Sequence, residues 1–110
     1  MISKKDNKRI GELIGAILAV NNRNEAKRFL RDLLTEKELI EFGNRWKAAR
    51  MLSKNIKYTE IEKETGLSST TVARVSKWLN NGKSGYKLVL KRIDSNKNHH
   101  NLSYVGKGLR

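Results

Sequence analysis

The stretch Tyr58–Leu79, YTEIEKETGLSSTTVARVSKWL, decides how the rest of the chain is read. It holds two short helical segments around a tight turn at Gly66, the pattern of a helix-turn-helix. Ile61, Leu67, Val72 and Val75 occupy the positions that face inward when two such helices cross steeply. Gly66 can take the positive φ that closes the first helix. Ser68 is placed to cap the second, three residues before Thr71. Ser68, Ser69, Thr70, Ala73, Arg74 and Lys77 then share the outer face. They are short, polar or cationic, as entry into a DNA groove requires. An αα-hairpin whose polar face is merely solvated carries the same pattern. Glu62 departs from it, standing where such units usually carry a small residue for close helix contact.

Charge separates these readings better than the stretch alone. The chain has a net charge of +13 over 110 residues, unevenly placed. Residues 1–44 hold 9 Lys/Arg against 7 Asp/Glu, whereas residues 45–93 hold 12 against 3. Charge that served only solubility could sit anywhere. Here it gathers on the half with the helix-turn-helix, the footprint of a polyanion binder. That half has no large apolar face left to enter lipid, so nucleic acid is favoured over a membrane surface.

Outward from this centre the pattern is helical throughout. Ile10, Leu13, Ile14, Ile17 and Leu18 form an apolar stripe that predicts a helix from about Lys5 to Val20. Ala26, Phe29, Leu30, Leu33 and Leu34 predict a second, from about Asn24 to Leu34. Thr35 with acids at Glu36 and Glu38 reads as the capped start of a third, reaching about Lys54. It presents Leu39, Phe42, Trp46, Ala49 and Leu52 on one side and Arg45, Lys47, Arg50 and Lys54 on the other. A last helix, about Ser84 to Ile93, uses Tyr86, Val89, Leu90 and Ile93. No strand alternation and no Pro interrupt this series of six. Residues 1–93 are therefore expected to form one helical domain, with the helix-turn-helix at about 58–79. Residues 94–110, polar and carrying two glycines, are expected to be a mobile basic tail. The stripes of the first two helices fit either a self-contained bundle or a face shared with a second copy.

Enzyme chemistry finds no support. The chain has no Cys, hence no thiolate ligand, nucleophile or disulfide. Gly82-Lys83-Ser84 echoes a phosphate loop, but Lys77 stands where the earlier Gly belongs. His99-His100 lacks companion ligands, so no metal is expected. Glu60, Glu62 and Glu64 are too local to form an acid/base pair. Trp46 and Trp78 sit at helical spacing among aliphatics and are expected in core or interface packing rather than base stacking. No apolar run approaches a membrane span and no signal-peptide core opens the chain, so a cytoplasmic, nucleoid-associated protein is expected.

From Leu33 onward the chain resembles the Trp repressor family, and the less-characterised Trp repressor-like relatives more than the repressor itself. The resemblance rests on Leu34-Thr35, Glu38, Gly43, Arg45, Leu52, Ile61, Gly66, the run Thr70-Thr71-Val72-Ala73-Arg74, Ser76 and Leu79. The phrase ARML at 49–52, a short linker and YTEIEKETG favour the relatives. It covers about residues 10–93 by helix order and 33–80 by motif. It implies an all-α, six-helix fold and an intertwined homodimer that presents two helix-turn-helix units to double-stranded DNA. It also implies an effector pocket at Thr35, Arg45, Thr71 and Arg74, which holds L-tryptophan in the repressor. Two departures argue against that ligand. Val75 replaces a Gly that makes room for the indole, and Trp78 replaces a Ser near the amine. Both side chains are expected to fill the cavity, and no cofactor is expected.

The expected function is sequence-specific DNA binding by a transcriptional regulator, most simply a repressor. Ser69, Thr70, Ala73 and Arg74 are expected at base edges. Arg45, Arg50, Lys54, Lys57, Ser68, Lys77 and Lys83 are expected at phosphates. The rival is a basic dimeric module that binds RNA or a partner protein without promoter specificity. Specific readout needs Thr70 and Arg74, whereas a scaffold needs only charge.

Overall fold

The computed structural model describes the backbone of residues 1–107 and the side chains of residues 1–96. Six helices follow one another: α1 (Lys4–Leu18), α2 (Arg23–Leu33), α3 (Glu36–Ser53), α4 (Tyr58–Thr65), α5 (Ser69–Asn81) and α6 (Gly85–Lys107). Among the described residues there is no strand. The contacts divide the chain into two units, one ending at Ile40 and one beginning at Glu41.

In the first unit the helix ends are set by local side-chain chemistry. Ser3 Oγ accepts the Asp6 N–H at 3.1 Å and caps α1. Asn22 Oδ1 accepts the Glu25 N–H at 2.9 Å, while Glu25 Oε1 accepts the Asn21 N–H at the same distance. Thr35 and Glu38 form a reciprocal capping box at the start of α3, with bonds of 3.1 and 2.8 Å. The Thr35 backbone N–H, donating to the Glu38 carboxylate, and then the Thr35 side chain hold that carboxyl below its ordinary pKa, because both favour its charged form. Strong caps contrast with weak burial: neither α1 nor α2 has one buried residue. Ile14 and Ile17 stay half exposed and Leu18 is 78% exposed.

The second unit has a small, well-defined core. Ala48, Ala49, Ile61, Val72 and Val75 are fully buried, with Met51, Leu52, Ile56, Leu67 and Tyr86 packed against them. Ile61, Val72 and Val75 lie inside as their spacing predicts, and Leu67 lies at the margin. Two adjacent alanines on α3 leave little bulk on that surface, which lets the branched side chains of α4 and α5 close over it. The chain leaves α3 through a Schellman turn. Asn55 takes φ 61 there, its N–H bonds the Leu52 carbonyl, and the Ile56 N–H bonds that of Met51 at 3.1 Å.

At the C-terminal end the structure departs from the sequence reading. The backbone stays helical to Lys107, not to Ile93. No Gly or Pro occurs from Asp94 to Val105, so polar composition ends the apolar stripe without breaking the helix. The expected mobility of 94–110 falls mostly on side chains outside the described residues, and 108–110 lie outside them altogether.

Candidate nucleic-acid interface

Gly66 closes α4 with φ 74, and its N–H bonds the Glu62 carbonyl at 2.8 Å. Thr65 adds a lock that its sequence position does not advertise. Its buried hydroxyl donates to the Ile61 carbonyl at 2.7 Å and accepts the Leu67 N–H at 3.2 Å. Ser68 then caps α5, its Oγ accepting the Thr71 N–H at 3.1 Å and donating to Thr71 Oγ1 at 3.0 Å. The hydroxyl proton assigned to a phosphate is thus already used within the chain. These bonds fix where α5 begins, and hence which residues its first two turns present.

What α5 presents is the expected set. Ser69, Thr70, Ala73, Arg74 and Lys77 are exposed, while Val72, Val75 and Leu79 on the opposite side are buried. Thr71, bonded to Ser68, is half buried. Glu62, the residue that broke the usual pattern, is also only half buried.

The surrounding cations are mostly unpaired. Only two ion pairs occur among the described residues: Arg31–Glu36 at 3.7 Å and Arg45–Glu41 at 2.7 Å. Arg50, Lys54, Lys57, Lys77 and Lys83 are exposed and outside both. Arg50 and Lys54 come together with Lys47 around a hollow of about 310 Å³ that also touches Ile56 and Glu64. Lys47 was not among the expected contacts. Its spacing from Arg50 and Lys54 (i, i+3, i+7) is the signal that places it on their face. Arg45 stands apart, its guanidinium on Glu41 and 5.7 Å from the Phe42 ring centre. Its Nε is buried with no hydrogen-bond partner.

Trp46 stacks on Tyr86, ring centres 6.3 Å apart. No cluster able to hold a metal occurs among the described residues, and the His99 and His100 side chains lie outside them. No described helix is long and apolar enough to cross a membrane.

A family profile described as Trp repressor protein matches residues 8–94. The chain belongs to the Trp repressor family. It is 37% identical over 92 residues to the uncharacterised protein YerC of Bacillus subtilis, covering 84% of this chain and 88% of that one. Its fold matches the crystal structure of a TrpR-like protein from Eubacterium eligens with a TM-score of 0.75 and 33% identity, over 79% of this chain and 90% of that one. A candidate Trp repressor from Staphylococcus aureus matches with a TM-score of 0.74 and 34% identity, over 79% and 87%.

The family's pocket positions have local roles in this chain. Thr35 belongs to the α3 capping box, Arg45 to Glu41, and Thr71 to the α5 cap, while Arg74 is exposed. Val75, in place of the family's Gly, is fully buried as expected. Trp78 is 42% exposed in the single chain.

Proposed function

We propose that the protein is a homodimeric, sequence-specific DNA-binding regulator that represses transcription without L-tryptophan, on the nucleoid in the cytoplasm. The observation that carries this reading is the outer face of α5. Ser69, Thr70, Ala73 and Arg74 stand exposed, and cations free of ion pairs flank them. In this reading Arg74 donates to guanine, while Ala73 and the Thr70 methyl meet thymine methyls. Arg50, Lys54, Lys57, Lys77 and Lys83 neutralise phosphates, and Ser68 contributes its backbone N–H. Arg45 serves a phosphate only by leaving Glu41.

The dimer is supported by α1 and α2, whose apolar stripes are not buried by their own chain. Two reading units related by a two-fold axis call for a palindromic site, with half-sites about 10 base pairs apart or a multiple of that. Selection of bound fragments from a random duplex pool tests the reading. A palindromic consensus supports it, and retention of DNA with no enriched sequence moves the protein to the scaffold class.

A further inference from the structure

We propose that Glu64 is an electrostatic brake on DNA binding, an acid set among phosphate-binding cations that lowers affinity for every duplex alike. The inference rests on the DNA-binding reading of Arg50 and Lys54, and not on its sequence specificity. Lys47, Arg50 and Lys54 of α3 line a hollow of about 310 Å³ whose one acidic member is Glu64 of α4. Met51 and Ile56 complete it. Asp94 lies on the other side of Arg50 and Lys54, in a separate hollow with Trp46, Leu90 and Ile93. Glu64 is exposed and belongs to neither ion pair among the described residues. It therefore stands near three cations without being neutralised by contact with any of them.

Helix stability does not explain an acid at this place. Glu64 stands in the last turn of α4, where the helix dipole disfavours negative charge. Its carboxylate holds no ion pair that would offset that cost. Towards DNA its effect has a definite sign. A phosphate bonded to those cations lies on the order of 6–7 Å from the carboxylate, and like charges so placed in water weaken binding about threefold. Salt screens part of that repulsion. The hollow is ringed by charge, so a second copy, itself at +13, would set cation against cation if it covered the site. A nucleic-acid phosphate is the partner these charges fit.

The test uses the full chain and a random-sequence duplex, read by fluorescence anisotropy across a salt series. Glu64→Gln is expected to bind about two- to threefold tighter than the parent at low salt, with the gain shrinking as salt rises. Glu64→Asp keeps the charge and is expected to gain less. Glu12→Gln makes the same change in net charge on α1, no residue of which lines the hollow, and is expected to gain nothing. The melting temperature of Glu64→Gln is expected to match the parent's or rise, because an acid leaves the C-terminal end of α4. Equal or weaker affinity of Glu64→Gln overturns the proposal, and a lowered melting temperature with it would assign Glu64 to the fold. An equal gain from Glu12→Gln also overturns it, since net charge alone would then suffice. The parent's own binding reports on the DNA reading. A parent that retains no duplex at any salt refutes both, whereas a parent that binds beside an unimproved Glu64→Gln refutes the brake alone.

Discussion

Replacing Thr70 by Ala separates readout from architecture on a single helix turn. Thr70 is exposed, and its hydroxyl takes no part in the bonds that start α5, which run between Ser68 and Thr71. Ala is the better helix former by a few tenths of a kcal/mol, so folding stability should hold or rise slightly. A lost base-edge contact costs about 1–3 kcal/mol on the preferred duplex, roughly 5- to 150-fold in affinity. Binding to scrambled DNA, which depends on phosphates, should stay nearly unchanged. Ser68→Ala provides the contrast. It removes the 3.1 Å cap bond and should cost about 1 kcal/mol of stability, with the first turn of α5 fraying. Both duplexes should then weaken together. Fluorescence anisotropy at fixed salt on the selected and scrambled duplexes, with thermal melts of each variant, distinguishes the two. If Thr70→Ala weakens both duplexes equally, or melts like Ser68→Ala, α5 does not read bases as argued.

Lys54→Ala should lower affinity for selected and random duplexes alike and reduce the slope of log K against log salt by about 0.9; an unchanged slope removes Lys54 from the interface. Sedimentation at micromolar concentration without DNA should give twice the 12.6 kDa chain mass, and a stable monomer would refute the dimer. Acid should weaken the start of α3. Glu38 has a lowered folded pKa, so its contribution is complete above the ordinary value of 4.5 and is lost as pH falls through the folded value. Glu38→Gln should therefore be less stable than the parent at neutral pH and converge with it in acid, and a constant gap down to pH 2 (about two units below the unfolded value) would exclude the capping box as the source.

The reading unit was legible because its determinants are local. Gly66, Ser68 and the spacing of Ile61, Val72 and Val75 act within a few residues, and each appears in the structure as its chemistry predicts. Ala48 and Thr65 escaped notice for the opposite reason. An alanine is informative only once its neighbours across the core are known, and the Thr65 hydroxyl matters only because the turn buries it. The end of α6 was missed because a polar helix and a polar coil share a composition, and absence of breakers is weak evidence until the backbone is seen.

The N-terminal unit carries the physical case for the proposed dimer. Its helices have good ends, yet each cap contributes only about 1 kcal/mol. Helices of 15 and 11 residues are marginal in water without a packed face. The faces they carry are apolar at the right spacing, but no residue of either is buried. Caps decide where these helices start and stop, and burial must decide that they persist. In the proposed dimer that burial comes from a second copy, because a stripe repeated identically on every copy is what a two-fold interface joins. In that proposed dimer the same symmetry would set two α5 helices at a fixed spacing, as reading a palindrome requires.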